Sequence, residues 1–242
     1  MKPKRAVTLV SVFIIPYTQA AQGDDSSLWA MIQQGGWAMI PLVLTSLAML
    51  TLAIHCFRET RASNFGLNQN VSDISLLLRE GDVSKAIEEL SNEATTLGRS
   101  LRCGLAKLDP RTGQGEIRSV EEEIATTIEL EENAISQWIH YLAVIASVAP
   151  MIGLLGTVSG MIGGFQTMAS GGMGRPELFA GDIGEALITT ATGLCIGIPA
   201  MVAHSYFNNR LNTLVVETSR RASAVTEALA NSLRQPERVS QT

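Results

Sequence analysis

The sequence predicts an all-α membrane protein with three transmembrane helices, the second and third extending far into the cytoplasm. Three stretches carry that prediction. Trp37–Phe57 is a run of 21 residues without Asp, Glu, Lys or Arg. No charged residue occurs from Asn133 to Gly174, and Ile183–Phe207 is apolar apart from Glu185. About 20 apolar residues cross a bilayer. A soluble domain can bury one such helix, but two in succession exceed what the core of a 242-residue chain needs.

Residues 1–20 read as a signal peptide. Lys2, Lys4 and Arg5 precede the apolar run Ala6–Ile15, Pro16 breaks the helix, and Thr18-Gln19-Ala20 supplies small residues for cleavage. An uncleaved amphipathic start is the alternative. Residues 21–36 are expected in the periplasm, with an interfacial helix around Leu28–Ile32 that ends at Gly35-Gly36. Trp29 and Trp37 suit the headgroup layer. Transmembrane helix 1 is placed at 37–57, with Pro41 tolerable in a first turn whose N–H groups are unpaired. Arg58 and Arg61 close its far end, while its near flank carries only Asp24 and Asp25. By the positive-inside rule the amino end lies outside and Arg58 in the cytoplasm.

Residues 58–137 form a cytoplasmic helical region. Val71–Leu78, Asp82–Leu90 and Thr95–Leu108 read as short helices, too poor in apolar surface for an independent core. They are expected to pack on each other or on the helices leaving the membrane. Asp109–Gly115 is a turn-rich break. From Ile117 the apolar residues Val120, Ile124, Ile128, Ile135 and Trp138 recur every three to four positions, and no Gly or Pro interrupts Ile117–Ala149. One unbroken helix is therefore expected, with Ile117–Met168 covering roughly 75–80 Å at 1.5 Å per residue. Transmembrane helix 2 is placed at 138–168, a short periplasmic loop at 169–182, transmembrane helix 3 at 183–207, and a cytoplasmic extension and tail at 208–242. The extension continues as Leu211, Leu214, Thr218, Ala222, Val225 and Leu229, with Pro236 expected to end it.

Composition excludes several functions. A net charge of −5, with the acidity concentrated between Glu59 and Glu132, does not suit a nucleic-acid partner. Cys56, Cys103 and Cys195 are far apart and form no CxxC pair, so neither a disulfide framework nor a metal site is expected. His55, His140 and His204 each lie near an end of an apolar segment and read as interfacial or structural. No phosphate loop, HExxH or nucleophile elbow occurs, so no enzyme and no cofactor is expected.

The chemistry concentrates in the last two crossings. Gly156, Gly160 and Gly164 repeat every four residues, a stripe where a neighbouring helix can approach closely. Thr157 and Ser159 can satisfy their hydroxyls on their own helix. In the third crossing Glu185 is surrounded by Gly184, Thr189, Thr190, Thr192 and Gly193. No crossing contains Lys or Arg, so this carboxylate must be protonated, reached by water or paired with another chain. Those are the requirements of a proton path. The plainer reading lets Glu185 snorkel to the outer surface. Asp182 reads as a first-turn carboxylate or, alternatively, a second relay group.

The block Ala149–Phe165, together with Gly184-Glu185-Ala186-Leu187, Thr190, Gly193-Leu194 and Ile198-Pro199-Ala200, resembles the MotA/TolQ/ExbB proton-channel family, best its ExbB/TolQ branch. The resemblance implies an inner-membrane subunit that forms a homopentamer, with its amino end periplasmic and carboxyl end cytoplasmic. The lumen would hold single-pass helices of an ExbD/TolR-like partner. Proton-motive force would move that partner, and the motion would pass to a TonB- or TolA-like protein. On the same resemblance Glu185, Thr157 and Thr190 form this subunit's part of the proton pathway. Asp182 is not a family hallmark. A membrane scaffold without ion conduction is the alternative, and it would explain the glycine stripe while leaving Glu185 idle.

Overall fold

A computed structural model of the chain describes residues 36–67, 71–79, 82–91, 93–108, 117–169 and 176–239, with side chains left out at a few helix ends. The expected signal peptide, interfacial helix, turn-rich break and glycine-rich connection after Ala169 lie outside these residues. Everything regular within them is α-helix: α1 Met39–Glu59, α2 Val71–Arg79, α3 Val83–Ser91, α4 Thr96–Leu105, α5 Ile117–Ala169 and α6 Pro176–Val239. Three of these, α1, α5 and α6, are long and apolar enough to cross a membrane. Helix α5 runs unbroken for 53 residues, through Pro150, as the spacing from Ile117 predicts. Helix α6 departs from expectation at both ends. It starts at Pro176, where the missing N–H costs nothing in a first turn. It also runs through Pro236 to Val239 instead of stopping there.

The described residues pack as two units, one within Met1–Thr45 and Val148–Gly197 and the other within Ser46–Ser147 and Ile198–Thr242. In the second unit, α1 ends in a polar clasp. Thr60 returns both its N–H and its hydroxyl to the Cys56 carbonyl at 2.9 and 2.7 Å. Asn64 donates to the Arg58 carbonyl at 3.0 Å, which satisfies a helix-end acceptor that has no partner in the helix. The turn that follows closes at Gly66, whose φ of 75° is left-handed. Phe65 from this turn is buried with Cys56, Ile135, Ile139, Leu142, Phe207, Leu211 and Leu214, tying α1 to α5 and α6.

A second apolar cluster explains the short helices. Leu78, Val83, Ala86, Leu90, Leu97, Leu101 and Leu105 interlock with Val120, Ile124 and Ile128 of α5 and with Ala222, Val225 and Leu229 of α6. The short helices thus pack on each other and complete their core on the extensions of the long ones, so both expected arrangements occur together. Gly104 permits the approach of α4 to α5, since a Cβ there would lie 2.5 Å from Ile124 Cγ1 and 3.0 Å from the Val120 carbonyl. The N-cap hydroxyl of Thr95 accepts from Gly98 N–H at 3.1 Å, one of the first-turn donors that would otherwise be unpaired.

Polar contacts fix the register of the long helices. Arg210 Nε donates to the Thr60 carbonyl at 2.8 Å, and His204 Nδ1 meets the Ile139 carbonyl at 3.0 Å. The ring of His55 stands edge-on to Trp138, centroids 5.0 Å apart. Two of the three histidines are thus structural, and His140 is exposed. On the extension of α6, Arg220 and Arg221 both bond Glu217 and hold its carboxyl below the usual range.

Candidate functional site

The candidate site lies within the first unit, where Glu185 of α6 faces α5 and the turn that leads into α1. Asp182 and Thr189 lie one turn before and one turn after Glu185, so all three share a face of α6. Opposite them α5 presents Gly156, Ser159, Gly160 and Gly163, and Trp37 and Ala38 complete the lining of a cavity of about 150 Å³. That volume has room for water, and its wall offers carboxylate and hydroxyl partners for it.

The cavity keeps its shape because the helices meet at glycine. A Cβ on Gly156 would lie 2.5 Å from Thr189 Oγ1, and one on Gly160 would lie 3.0 Å from both Ala186 Cβ and the Asp182 carbonyl. The approach is reciprocal, since a Cβ on Gly193 of α6 would lie 2.6 Å from the Ala149 carbonyl of α5. The stripe read from sequence at Gly156 and Gly160 is therefore the contact face. Gly164 is also buried. The face begins one turn earlier than the spacing suggests, at Gly153, where a Cβ would lie 2.9 Å from the Thr189 carbonyl.

Gly36 leaves room for the carboxylate. Its φ of 60° favours glycine, and a Cβ there would fall within the Glu185 carboxyl group. Glu185 therefore rests against the backbone that opens α1, the end of a helix where a negative charge is favoured. The described residues of this unit include no Lys or Arg. No cation of the unit's described residues can neutralise Glu185.

Most hydroxyls here behave as membrane hydroxyls usually do and bond a carbonyl of their own helix. Thr157 donates to Leu154 O at 2.6 Å, Thr167 to Gly163 O at 3.0 Å and Thr192 to Ile188 O at 2.8 Å. Thr189 bonds Ala186 O at 2.8 Å. Thr189 Oγ1 also lies 3.5 Å from the Gly153 carbonyl of α5, and Thr190 makes that crossing at closer range. Its hydroxyl crosses to α5 and donates to the Gly153 carbonyl at 3.0 Å.

The three residues singled out by sequence are thus not brought into a single cavity. Glu185 lines it; Thr157 and Thr190 do not. Thr157 sits half-buried on α5 in line with Leu154 and Met161, which are exposed. Thr157 is at the edge of an exposed surface that continues round the helix through Met151, Leu155, Val158, Ile162 and Phe165, an apolar surface of the kind that lipid or another chain covers. Sequence reasoning missed two features of the cavity around Glu185. Ser159 accepts from Trp37 Nε1 at 3.2 Å. Gly36 read only as a helix stop. The Gly35-Gly36 pair was the available signal, but nothing local ties it to a residue 149 positions away. Among the described residues no group of three or more His, Cys, Asp or Glu could hold a metal ion.

The model of the MotA/TolQ/ExbB proton channel family matches residues 92–220, more than half of the chain. The Tol-Pal system protein TolQ of Haemophilus influenzae is 30% identical over 142 residues, which cover 55% of this chain and 62% of that protein. The biopolymer transport protein ExbB of Xanthomonas campestris is 27% identical over 201 residues, 75% of this chain and 78% of its own length. TolQ of Pseudomonas aeruginosa is 26% identical over 206 residues, 79% of this chain and 87% of its own. With three membrane-spanning helices, two of them extended, this multi-pass membrane protein belongs to the MotA/TolQ/ExbB proton channel family, in its ExbB/TolQ branch.

Proposed function

We propose that the chain is a bacterial inner-membrane proton-channel subunit that couples proton-motive force to movement of an ExbD/TolR-like single-pass partner. Through a TonB- or TolA-like protein that movement would energise outer-membrane transport or upkeep. The observation that carries this reading is Glu185, an ionisable side chain between membrane helices, beside a cavity with room for water and without a described Lys or Arg in its unit. Such a group is costly in a membrane unless it is solvated, protonated or paired, and its presence there marks a functional site. Its charge can be neutralised by a proton, and water with Ser159 and Thr189 offers the next positions.

Thr157 and Thr190 enter the path on the surface between copies. Thr157 lies among the exposed apolar residues of α5, where assembly into a homopentamer would turn it toward a shared lumen. Thr190 still has lone pairs to accept a hydrogen bond while its proton is committed to Gly153. The proposed topology has helix 1 at 37–57, helix 2 at 138–168 and helix 3 at 183–207, with a periplasmic amino end. One charge moved through 100 mV yields about 2.3 kcal/mol, so a few protons suffice to shift a helix along a smooth glycine-lined face.

Glu185→Gln keeps size and removes titration. The variant should assemble with its partner in a pull-down and lose proton flux. Wild-type flux in that variant would leave the scaffold alternative standing. Cysteine labelling at 22–28 against 114–115 tests topology: reaction from opposite sides is required, and same-side reaction overturns it.

A further inference from the structure

A separate cleft of about 550 Å³ lies in the second unit, lined in part by His55, Glu59, Asn64, Arg99, Glu131 and Trp138. Its size is that of a small-molecule site. Two groups in it carry opposite charges that are incompletely paired. Arg99 bonds Glu131 through one terminal nitrogen at 2.8 Å, and its side chain is still 39% exposed. Glu59 is half-buried and makes no ion pair among the described residues.

A simple anion could satisfy Arg99, but it would face the Glu59 and Glu131 carboxylates. A simple cation could satisfy Glu59 but would face the Arg99 guanidinium. A zwitterion with a phosphate ester and a primary ammonium answers both, since it supplies an oxygen acceptor and a cation with N–H donors. The position of the cleft indicates the source. His55 and Glu59 close the carboxyl end of membrane-spanning α1, and the same helix exposes Leu47, Leu50, Ile54 and Phe57 as an apolar stripe leading to that end. Trp138, 45% exposed at the cleft, is the kind of residue that sits at headgroup level.

We infer that this cleft binds the headgroup of an ethanolamine phospholipid, with the phosphate accepting from Arg99, the ammonium on Glu59 and the acyl chains along the apolar stripe of α1. This rests on the membrane placement proposed above, but not on proton conduction. The three common headgroups separate the requirements. Glycerol lacks the cation, and choline has a cation without N–H donors.

The test uses the full-length chain in nanodiscs containing phosphatidylethanolamine, phosphatidylglycerol and phosphatidylcholine in equal parts, with lipids retained after release into detergent counted by native mass spectrometry. Phosphatidylethanolamine should be retained over the other two by about tenfold, the scale of a hydrogen bond to a charged group. Glu59→Gln should abolish its advantage over phosphatidylcholine without lowering the melting temperature. Equal retention of the three lipids, or an undiminished preference in Glu59→Gln, overturns the inference. Competition with millimolar O-phosphoethanolamine should displace little lipid; ready displacement would assign the cleft to a soluble compound and overturn the lipid assignment. Membrane fractionation separates the two readings. A chain outside the membrane fraction refutes the placement, while a membrane-bound chain without lipid preference refutes this inference alone.

Discussion

The closest backbone approach in the first unit gives the sharpest test of its packing. Replacing Gly193 by alanine places a Cβ 2.6 Å from the Ala149 carbonyl and 3.2 Å from Gly153 Cα. These are backbone atoms, so no side chain can rotate away, and the helices themselves must part. Overpacking of this kind costs about 1–3 kcal/mol. The substitution also raises helix propensity by about 1 kcal/mol, so a net loss of up to about 2 kcal/mol is expected. Gly181→Ala is the matched control. Nothing lies within 4 Å of its Cβ position, and only the propensity gain remains. Unfolding in mixed micelles, followed by far-UV circular dichroism, should rank Gly193→Ala below wild type and Gly181→Ala at or above it. If the two alanine variants proved equally stable, the close contact between α5 and α6 would be wrong.

Three further outcomes are expected. Gly36→Ala forces an unfavourable φ and a clash with Glu185; carbodiimide labelling of Glu185 should change rate while the oligomer stays intact, and an unchanged rate would remove Gly36 from the site. Leu101→Ala removes a fully buried side chain from the leucine cluster and should cost about 2–5 kcal/mol, measured as faster amide exchange across α2–α4; wild-type exchange would contradict the packing. Glu217 has a lowered folded-state pKa, first through Arg220 and then Arg221. Its stabilisation is therefore present above the unfolded value of 4.5 and lost as pH falls through the folded one. The effect is small because the pair is exposed. Glu217→Gln should show a slightly shallower loss of stability on acidification, and an identical acid profile would show that the pairing adds nothing.

The membrane architecture was legible because it is written in one-dimensional signals: charge-free length for α1 and α5, a stretch of α6 whose one charge is Glu185, and uninterrupted periodicity from Ile117. The glycine stripe at Gly156 and Gly160 was legible for the same reason, since four-residue spacing defines a helix face. Pairings between distant segments were not. Gly193 reads as one small residue among several near Glu185, yet it faces Ala149 because two helices cross there. Thr190 lies about 140° from Glu185 on an ideal helix, and nothing local says that its hydroxyl reaches the Gly153 carbonyl. The end of α6 was misread because Pro236 ordinarily stops a helix, whereas here the helix continues to Val239. For Glu185 the sequence supplied the absence of a countercharge, while the Gly36 turn and the Trp37–Ser159 bond that surround it came only from the fold.

Reconstitution tests the central claim most directly. Wild-type and Glu185→Gln chains, each assembled with the single-pass partner in liposomes under an imposed pH gradient and potential, are compared by internal pH indicator. The expected result is proton entry in wild type and background entry in Glu185→Gln at equal oligomer content. Equal entry through both would contradict a titrating Glu185 as the step through which the ion passes.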